Sequence, residues 1–238
     1  MEGLLVLNGG EEFQPGNEPQ DELLVEAAGE GPAFVVPTAA ARQHPEAAVA
    51  NAMRWFGRLG LQVRELPVLK RGDAQSEKLA LEAARGTFFY LVGGDPGLVV
   101  QVLEGSRVWA AMVRAWAESG AALAGSSAGA MAMAAYSLVM ARWPHHDVRR
   151  AKPALGLVPE VAVLPHYERF GKRWADSDIE DRPSGLVLLG LDEKTAAVWD
   201  GSRWTALGAG SVTVGGRAFR EGGLVEGLPR PRTEGPGG

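Results

Sequence analysis

The sequence predicts an α/β fold, built as a three-layer sandwich around a mainly parallel β-sheet. Short apolar or β-branched runs alternate with segments of helical periodicity as far as about residue 190, an order typical of parallel strands joined by helical crossovers. The chain has 238 residues and 46% hydrophobic content, which is enough to fill the core of one such domain. Strands are predicted at residues 4–8, 33–38, 61–66, 87–92, 121–125, 161–165 and 186–191.

Helices are predicted between these strands, and one of the clearest covers residues 45–60. Its apolar residues recur near helical spacing before Gly60, a residue that commonly ends helices. The segment 17–28 begins with Asn17 as a candidate cap and has Pro19 in its first turn. Further helices are predicted at residues 74–84, 97–118, 127–141 and 168–180.

The character of the sequence changes after residue 194. Two alternating runs flank Asp200-Gly201, a pair that favours the tight turn of a β-hairpin. We therefore expect one α/β domain over residues 1–227, in which residues 195–227 form a small antiparallel β extension. Residues 228–238 contain little that could be buried and are predicted to form a flexible tail.

The composition argues against several classes of function. The absence of cysteine excludes disulfides, thiolate metal sites and a cysteine nucleophile. Acidic residues outnumber basic ones by 29 to 24 without any basic cluster, so no nucleic-acid partner is expected. The N-terminus lacks the pattern of a secretory signal, and no apolar run approaches the ~20 residues of a membrane-spanning helix. We therefore expect a soluble cytoplasmic protein. No zinc, phosphate-loop or dinucleotide motif is present, so neither a metal nor a cofactor is predicted.

The segment 121–133, AALAGSSAGAMAM, contains the candidate nucleophile. Its G-x-S-x-G pattern places Ser127 between a predicted strand and a predicted helix, as in the nucleophile turn of many serine hydrolases. Ser126 fits the pattern less well. The alternative interpretation is a catalytically silent turn in which serine only caps the helix. A nucleophilic serine also requires a base, and an acid that orients this base.

Among the four histidines, His166 is the candidate base. It follows the predicted strand 161–165 and is therefore expected at the carboxyl edge of the sheet, where Ser127 is also expected. This edge is where parallel sheets form their ligand-binding crevice. The other three are interpreted as exposed residues of polar segments: His44, His145 and His146.

Two carboxylates could complete the site. Glu193 follows the next predicted strand, whereas Asp147 lies in the loop after the serine helix, and the order along the chain favours Glu193. An oxyanion hole needs backbone N–H groups that point to one position. The predicted donors are Gly94, in a glycine pair after the strand 87–92, and Ala128, directly after the serine. The glycine pair by itself would also fit a plain turn.

With these residues in order, the chain resembles the serine peptidase family that contains cyanophycinase and the aspartyl dipeptidases. Five motifs occur in the order typical of that family and together cover about residues 3–200: LNGGEE, LVGGDPGLVVQVLEGSRVWAAM, GSSAGAMAM, ALGLVPEVAVLPHYERFGKR and GLDEKTAAVW. The resemblance implies a class I glutamine amidotransferase-like, flavodoxin-like fold in which Ser127 stands where the amidotransferases have cysteine.

The same resemblance implies hydrolysis of peptide or isopeptide bonds next to aspartyl residues, without a cofactor. His166 would be the base. The acid would be Glu193 by the cyanophycinase pattern, whereas the dipeptidase branch would use Asp147. The implied partner is a small peptide substrate that contains an aspartyl residue.

Departures from the family pattern affect the expected substrate. Pro96 stands where cyanophycinase-like sequences usually have glutamine, and Leu164-Pro165 stand where they have Asp-Gln, so a short aspartyl peptide is favoured over cyanophycin. Because a guanidinium can bind a carboxylate through two hydrogen bonds, the cations after the histidine fit substrate recognition, although a solvated basic helix face explains them equally well. The candidate substrate-binding residues are Asp95, Arg169, Lys172 and Arg173.

Two other hypotheses fit parts of the sequence. A family member without catalytic activity could use the same pocket to bind a ligand or a partner protein. An α/β-hydrolase esterase is disfavoured because that fold needs a histidine late in the chain, and none follows His166. Helices on both faces of the sheet would also allow a homodimer, which no sequence feature requires.

Overall fold

The computed structural model describes residues 2–141 and 148–233, and in these ranges the strands form two seven-stranded sheets. The strands are Leu5–Asn8 (β1), Ala33–Val36 (β2), Val63–Glu65 (β3), Phe88–Leu91 (β4), Ala122–Ser126 (β5), Ala134–Met140 (β6), Arg149–Pro153 (β7), Val158–Leu164 (β8), Ile179–Glu180 (β9), Val187–Leu191 (β10), Thr195–Trp199 (β11), Trp204–Gly208 (β12), Val212–Val214 (β13) and Arg217–Phe219 (β14). The α-helices are Glu18–Ala27 (α1), Pro45–Arg58 (α2), Arg71–Ala74 (α3), Glu77–Ala83 (α4), Pro96–Leu103 (α5), Arg107–Ser119 (α6), Ala128–Met133 (α7) and Lys172–Ala175 (α8).

The first sheet has the strand order β12-β11-β1-β5-β4-β2-β3. Five adjacent strands pair in parallel, in the order β1, β5, β4, β2 and β3. Strands β11 and β12 extend the sheet beyond β1 with antiparallel pairing. Strands β1, β2, β4 and β5 are buried at every position, as expected for parallel strands that are covered on both faces. The predicted α/β fold with mainly parallel pairing is confirmed.

The second sheet has the strand order β14-β13-β10-β8-β6-β7-β9 and combines parallel and antiparallel pairs. Strand β6 begins directly after α7, so the single helix predicted at 127–141 is wrong beyond Met133. A short apolar run fits a buried strand as well as a helix, and here it pairs with β7 and β8. The large hydrophobic core surrounds the first sheet, and a smaller cluster around Leu138 and Leu164 belongs to the second.

Other predicted helices are shorter than expected. The segment 97–118 is divided at Gly105, whose φ of 57° breaks the helix before Ser106 caps the next one. The segment 168–180 contains a π-helical turn over Tyr167–Gly171, followed by the single turn of α8. None of the helices within the described residues is long and apolar enough to span a bilayer.

The predicted hairpin after residue 194 is present as β11 and β12. Its turn contains Gly201 with a φ of 94°, and Asp200 accepts hydrogen bonds from the amides of Ser202 and Arg203. Strands β13 and β14 form a second antiparallel pair that joins the other sheet. The C-terminal strands therefore contribute to both sheets.

Candidate active site

The candidate nucleophile Ser127 lies between β5 and α7 in a strained backbone conformation, with φ 47° and ψ −108°. Its amide donates a hydrogen bond of 3.0 Å to the carbonyl of Asn8 on the neighbouring strand. Small residues permit this turn: a Cβ on Gly129 would overlap the carbonyl of Leu91, and one on Gly125 would lie 2.7 Å from the Gly129 backbone. Positive φ at a serine costs energy, so tight packing holds the hydroxyl at this position.

His166 follows β8 of the second sheet and also has a left-handed backbone, with φ 48° and ψ 43°. Its amide donates a 2.8 Å hydrogen bond to the carbonyl of Gly9, which follows β1 of the first sheet. A side chain on Gly10 would overlap the imidazole ring, so glycine is needed at this position. The ring of Phe170 stacks on the imidazole with centroids 5.0 Å apart. The two sheets thus meet at this histidine.

A continuous hydrogen-bond chain links the serine to a carboxylate. Ser127 Oγ lies 3.2 Å from His166 Nε2, and His166 Nδ1 lies 2.7 Å from Glu193 Oε1. The imidazole and carboxylate side chains are only 18% and 17% exposed. Each nitrogen of the imidazole therefore has one partner, as a base needs when it takes a proton on one side and is oriented from the other.

Glu193 lies in the loop between β10 and β11, where several groups hold it. Burial by itself would raise the pKa of its carboxyl, but hydrogen bonds and positive charge from His166 and Arg169 outweigh burial and keep this pKa below its usual value. Arg169 Nη1 lies 2.9 Å from the same oxygen that His166 contacts. The Glu168 carboxylate accepts the Glu193 amide at 3.1 Å. The carboxylate beside the histidine is therefore ionised and fixed in direction.

The residues of the two predicted oxyanion donors, Gly94 and Ala128, line the same cavity as Ser127. Gly94 has a φ of 142°, and a Cβ there would overlap the carbonyl of Ala39. Ala128 begins α7 directly after the serine. Within the part of the chain that the structure describes, neither the Gly94 amide nor the Ala128 amide donates a hydrogen bond to the protein. Both N–H groups are therefore available to an oxygen in the cavity.

The cavity beside Ser127 has a volume of about 430 Å³. Apolar side chains, among them Met131 and Leu138, form much of its wall, together with the rings of Phe170 and Trp174. Arg149 also lines it and lies with its guanidinium carbon 4.1 Å from the Trp174 ring centroid. A larger surface groove of about 630 Å³ beside α4 contains neither serine nor histidine. The smaller cavity is therefore the one that can bind a substrate for chemistry at Ser127.

The other predicted site residues have different positions. Asp95 lines the cavity, and its carboxylate caps α5 by accepting the Leu98 amide at 3.1 Å. Arg169 is not among the residues that line the cavity and instead bonds to Glu193. Lys172 and Arg173 are exposed on α8, also outside the cavity lining.

Four polar residues complete the account of the sequence-based candidates. Asp147, the alternative acid, lies outside the described residues, as do His145 and His146. His44 lies at the start of α2, and its exposed imidazole contacts Glu46. Its predicted exposure is thus confirmed.

The fold and this site together define a class of protein. A serine at a strained strand-to-helix turn, joined through histidine to a carboxylate, is the arrangement of serine hydrolases. The model of peptidase family S51 matches residues 4–207, and the chain therefore belongs to peptidase family S51. It is a serine-type peptidase, and the resemblance found in its sequence motifs is confirmed.

Individual relatives agree with this membership. The chain is 30% identical over 221 residues to a cyanophycinase of Nostoc sp. strain PCC 7120, covering 89% of this chain and 72% of that protein. A cyanophycinase of Thermosynechococcus vestitus is 27% identical over 160 residues, or 64% of this chain and 49% of that protein.

Solved structures give the same result. A peptidase from an acI-B1 Actinobacterium superposes with a TM-score of 0.82 at 28% identity, covering 94% of this chain and 97% of that one. A putative peptidase E protein from Listeria monocytogenes EGD-e superposes with a TM-score of 0.59 at 18% identity, covering 88% and 100% of the two chains. At that identity the second likeness supports the fold alone.

Sequence reasoning missed two residues near the serine. Arg149 lines the cavity from β7, a strand that was not predicted, so no pattern connected it with the site. Glu12 follows β1 and bonds to both Gly93 and Ser126. Its motif, LNGGEE, indicated the family, but nothing in those letters indicated which groups the carboxylate would contact.

Proposed function

We propose that Ser127, His166 and Glu193 form the catalytic triad of a peptidase that cleaves peptide or isopeptide bonds adjacent to aspartyl residues. The observation that carries this proposal is the hydrogen-bond chain, with 3.2 Å between serine and histidine and 2.7 Å between histidine and glutamate. In this chain the serine hydroxyl, the base and the orienting acid are already within hydrogen-bond reach of one another.

The reaction begins when His166 Nε2 accepts the proton of the Ser127 hydroxyl while Oγ attacks the carbonyl carbon. The carbonyl oxygen gains negative charge, which the N–H groups of Gly94 and Ala128 stabilise. Glu193 stabilises the resulting imidazolium and holds the ring in the tautomer that the transfer needs. The carboxylate remains ionised throughout.

The tetrahedral intermediate then collapses with cleavage of the C–N bond. His166 gives its proton to the leaving amine, and an acyl-enzyme ester remains on Ser127. A water molecule, deprotonated by His166, attacks this ester. The second intermediate releases the acid product, and the proton returns to the serine oxygen.

The preference for an aspartyl substrate is supported by the charge of the cavity. Arg149 is the arginine among its described lining residues, and the Trp174 ring restricts the directions available to its guanidinium. A guanidinium binds a carboxylate through two parallel hydrogen bonds. Asp95 also lines the cavity, and its negative charge suits the free amine of a short peptide. The similarity to cyanophycinases supports the same substrate class.

The chemistry is tested by covalent labelling with a small fluorophosphonate, followed by intact-protein and peptide mass spectrometry. We expect a single adduct on Ser127 in the wild type and in His44→Ala, and no adduct in folded His166→Ala. His44→Ala is the matched control because it removes an imidazole that is 84% exposed and is not among the residues that line the cavity. Labelling elsewhere, or labelling that does not depend on His166, contradicts the proposed mechanism.

The substrate class is tested with matched dipeptides that carry either aspartyl or asparaginyl residues. We expect kcat/KM for the aspartyl peptide to be at least about 10-fold higher, because a guanidinium binds a carboxylate through two charge-assisted hydrogen bonds, whereas a neutral side-chain amide offers it a single acceptor oxygen. Arg149→Gln is expected to remove most of this preference, whereas Arg173→Gln on the exposed face of α8 leaves it unchanged. An unaltered preference in Arg149→Gln contradicts the role of this arginine.

A further inference from the structure

The side chain of Glu12 bridges the two loops that surround the nucleophile. Its Oε1 accepts the amide of Gly93 at 2.8 Å, and its Oε2 accepts the hydroxyl of Ser126 at 2.8 Å. Gly93 follows the end of β4, and Ser126 is the last residue of β5. One carboxylate from a third loop is therefore hydrogen-bonded to both neighbouring strand ends.

This bridge lies where strand pairing no longer connects the two chain segments. The parallel register between β4 and β5 ends at the pair Leu91 and Gly125. The residues that bear the two proposed oxyanion donors, Gly94 and Ala128, come three positions after this pair on each strand. Sheet hydrogen bonds therefore do not set the distance between these two N–H groups, and the Glu12 carboxylate provides a hydrogen-bonded link across the gap.

The loop that carries Glu12 is itself held firmly. Its neighbours Glu11 and Phe13 have φ values of 57° and 61°, which non-glycine residues adopt only when surrounding contacts compensate. The Phe13 ring packs with its centroid 5.0 Å from that of Tyr90 and 5.9 Å from that of Phe56. The side-chain amide of Asn17 donates to the Glu11 carbonyl at 2.6 Å. The carboxylate is thus presented from a rigid loop.

Gly93 is fitted to this carboxylate. A Cβ on Gly93 would lie 2.8 Å from Glu12 Oε1, so the absence of a side chain allows the hydrogen bond to form. On the other side of Gly94, the Asp95 amide donates to the Ala39 carbonyl at 2.9 Å. The residue with the candidate oxyanion N–H is therefore held from both sides, by Glu12 before it and by Ala39 after it.

We propose that Glu12 is a positioning residue that sets the separation of the Gly94 and Ala128 amides in the oxyanion hole. The inference rests on the proposed function, because it assumes that these amides stabilise charge developing next to Ser127. Electrostatic stabilisation by fixed donors depends steeply on their placement, and a misplacement of about 1 Å can cost about 100-fold in rate. Loss of the bridge therefore slows the chemical step more than it weakens binding.

The test measures phosphonylation of Ser127 by a small fluorophosphonate as a function of reagent concentration. The maximal rate constant reports on stabilisation of the phosphoryl oxygen, and the half-saturating concentration reports on binding. Five variants are compared with the wild type: Glu12→Gln, Glu12→Ala, Ser126→Ala, the double variant Glu12→Ala with Ser126→Ala, and Glu11→Gln. Circular dichroism and thermal melts establish that each variant is folded.

We expect Glu12→Ala to lower the maximal rate constant about 10- to 100-fold with an unchanged half-saturating concentration. Glu12→Gln retains one acceptor for Gly93 and can donate to the Ser126 hydroxyl, so a decrease of only about 3- to 10-fold is expected. Ser126→Ala should have an intermediate effect and add nothing in a Glu12→Ala background, since both substitutions remove the same bridge. Glu11→Gln is the control because it removes a neighbouring carboxylate that accepts a hydrogen bond from Gln14 and takes no part in the bridge between Gly93 and Ser126.

The outcomes separate this inference from the function on which it rests. If the wild type itself is not labelled at Ser127, the proposed function fails and the inference fails with it. If the wild type is labelled and folded Glu12→Gln and Glu12→Ala react at its rate, only the inference is overturned. A change confined to the half-saturating concentration, or to the melting temperature, also overturns it. If Glu12→Ala does not fold, the comparison of Glu12→Gln with Glu11→Gln decides.

Discussion

Two carboxyl groups near the site, Asp21 and Glu193, have opposite environments and opposite pKa shifts. Asp21 lies on α1 with its side chain fully buried, and burial raises its pKa to about 7 although Trp55 donates a hydrogen bond of 2.7 Å. Its Oδ1 has no hydrogen-bond partner among the described residues. Glu193 is also shielded, but His166 and Arg169 outweigh burial and lower its pKa. Complete burial therefore keeps Asp21 protonated up to about neutral pH, whereas the less buried Glu193 is ionised because His166 and Arg169 outweigh its burial.

This difference shows how one small region can contain a neutral carboxyl and a charged one at the same pH. Within the described residues, no cation is among the groups that act on the Asp21 carboxyl, so its proton is retained up to about neutral pH. Beside the histidine a charge is required, because it stabilises the imidazolium during the reaction. Four tests of this comparison follow, ordered from the largest expected effect to the smallest.

The largest effect is expected when the nucleophile is removed, because Glu193 can act in catalysis only through His166 and Ser127. We expect Ser127→Ala to lower turnover of an aspartyl peptide about 10³- to 10⁶-fold. The melting temperature should change by no more than about 2 °C, because alanine fills nearly the same space. Retention of substantial turnover by the purified variant would show that the hydrogen-bond chain ending at Glu193 has no catalytic function.

The second test compares Glu193→Gln with Asp147→Asn. Glutamine retains the shape of the side chain but removes the charge that orients and stabilises His166, so kcat/KM should fall about 10²- to 10⁴-fold. Asp147→Asn should have little effect, and it also serves as the control for the loss of one carboxylate. The opposite ranking would assign the acid to Asp147 and leave Glu193 with a structural role.

A smaller effect is expected when the cation beside the acid is removed. Arg169 helps to lower the pKa of Glu193, so Arg169→Ala should raise this pKa and protonate the carboxyl at a higher pH. The acidic limb of the pH profile of kcat/KM should therefore shift to higher pH, so the loss should grow as the pH is lowered and be smallest at pH 8. Arg173→Ala, on the exposed face of α8, should leave the profile unchanged. A profile identical to the wild type in Arg169→Ala contradicts the electrostatic role.

The last test concerns the buried carboxyl and affects stability. Because the pKa of Asp21 is about 7 in the folded state against 3.8 for the free side chain, the folded protein binds the extra proton between these values. The free energy of unfolding should therefore decrease as the pH rises through this window. Asp21→Asn removes the titrating group and should reduce this decrease by on the order of 3 kcal/mol.

Urea denaturation at pH 4.5, 6 and 8 measures this change for Asp21→Asn. Glu22→Gln, an exposed carboxyl on the same helix, should keep the pH dependence of the wild type. If the free energy of unfolding depends on pH equally in the wild type, Asp21→Asn and Glu22→Gln, then Asp21 is ionised in the folded state at neutral pH. The contrast between Asp21 and Glu193 would then disappear.

The sequence by itself determined the fold class, and it placed Ser127, His166 and Glu193 just after strands that the structure shows as β5, β8 and β10. Each depends on a local pattern: apolar strands, a G-x-S-x-G turn, and polar residues directly after strand ends. The sequence predicted one helix over residues 127–141, but its second half forms strand β6. This strand could not be predicted, because the segment AAYSLVM suits a helix and a strand equally well.

Only the tertiary structure decided which groups meet across the two sheets. Arg169 was expected at the substrate but bonds to Glu193, while Arg149 reaches the cavity from an unpredicted strand. Glu12 lies 81 residues from Gly93 and 114 from Ser126 in the chain, yet it contacts both. Periodicity and short motifs report on neighbours in sequence, whereas hydrogen bonds between distant loops and the resulting pKa shifts depend on how the whole chain packs.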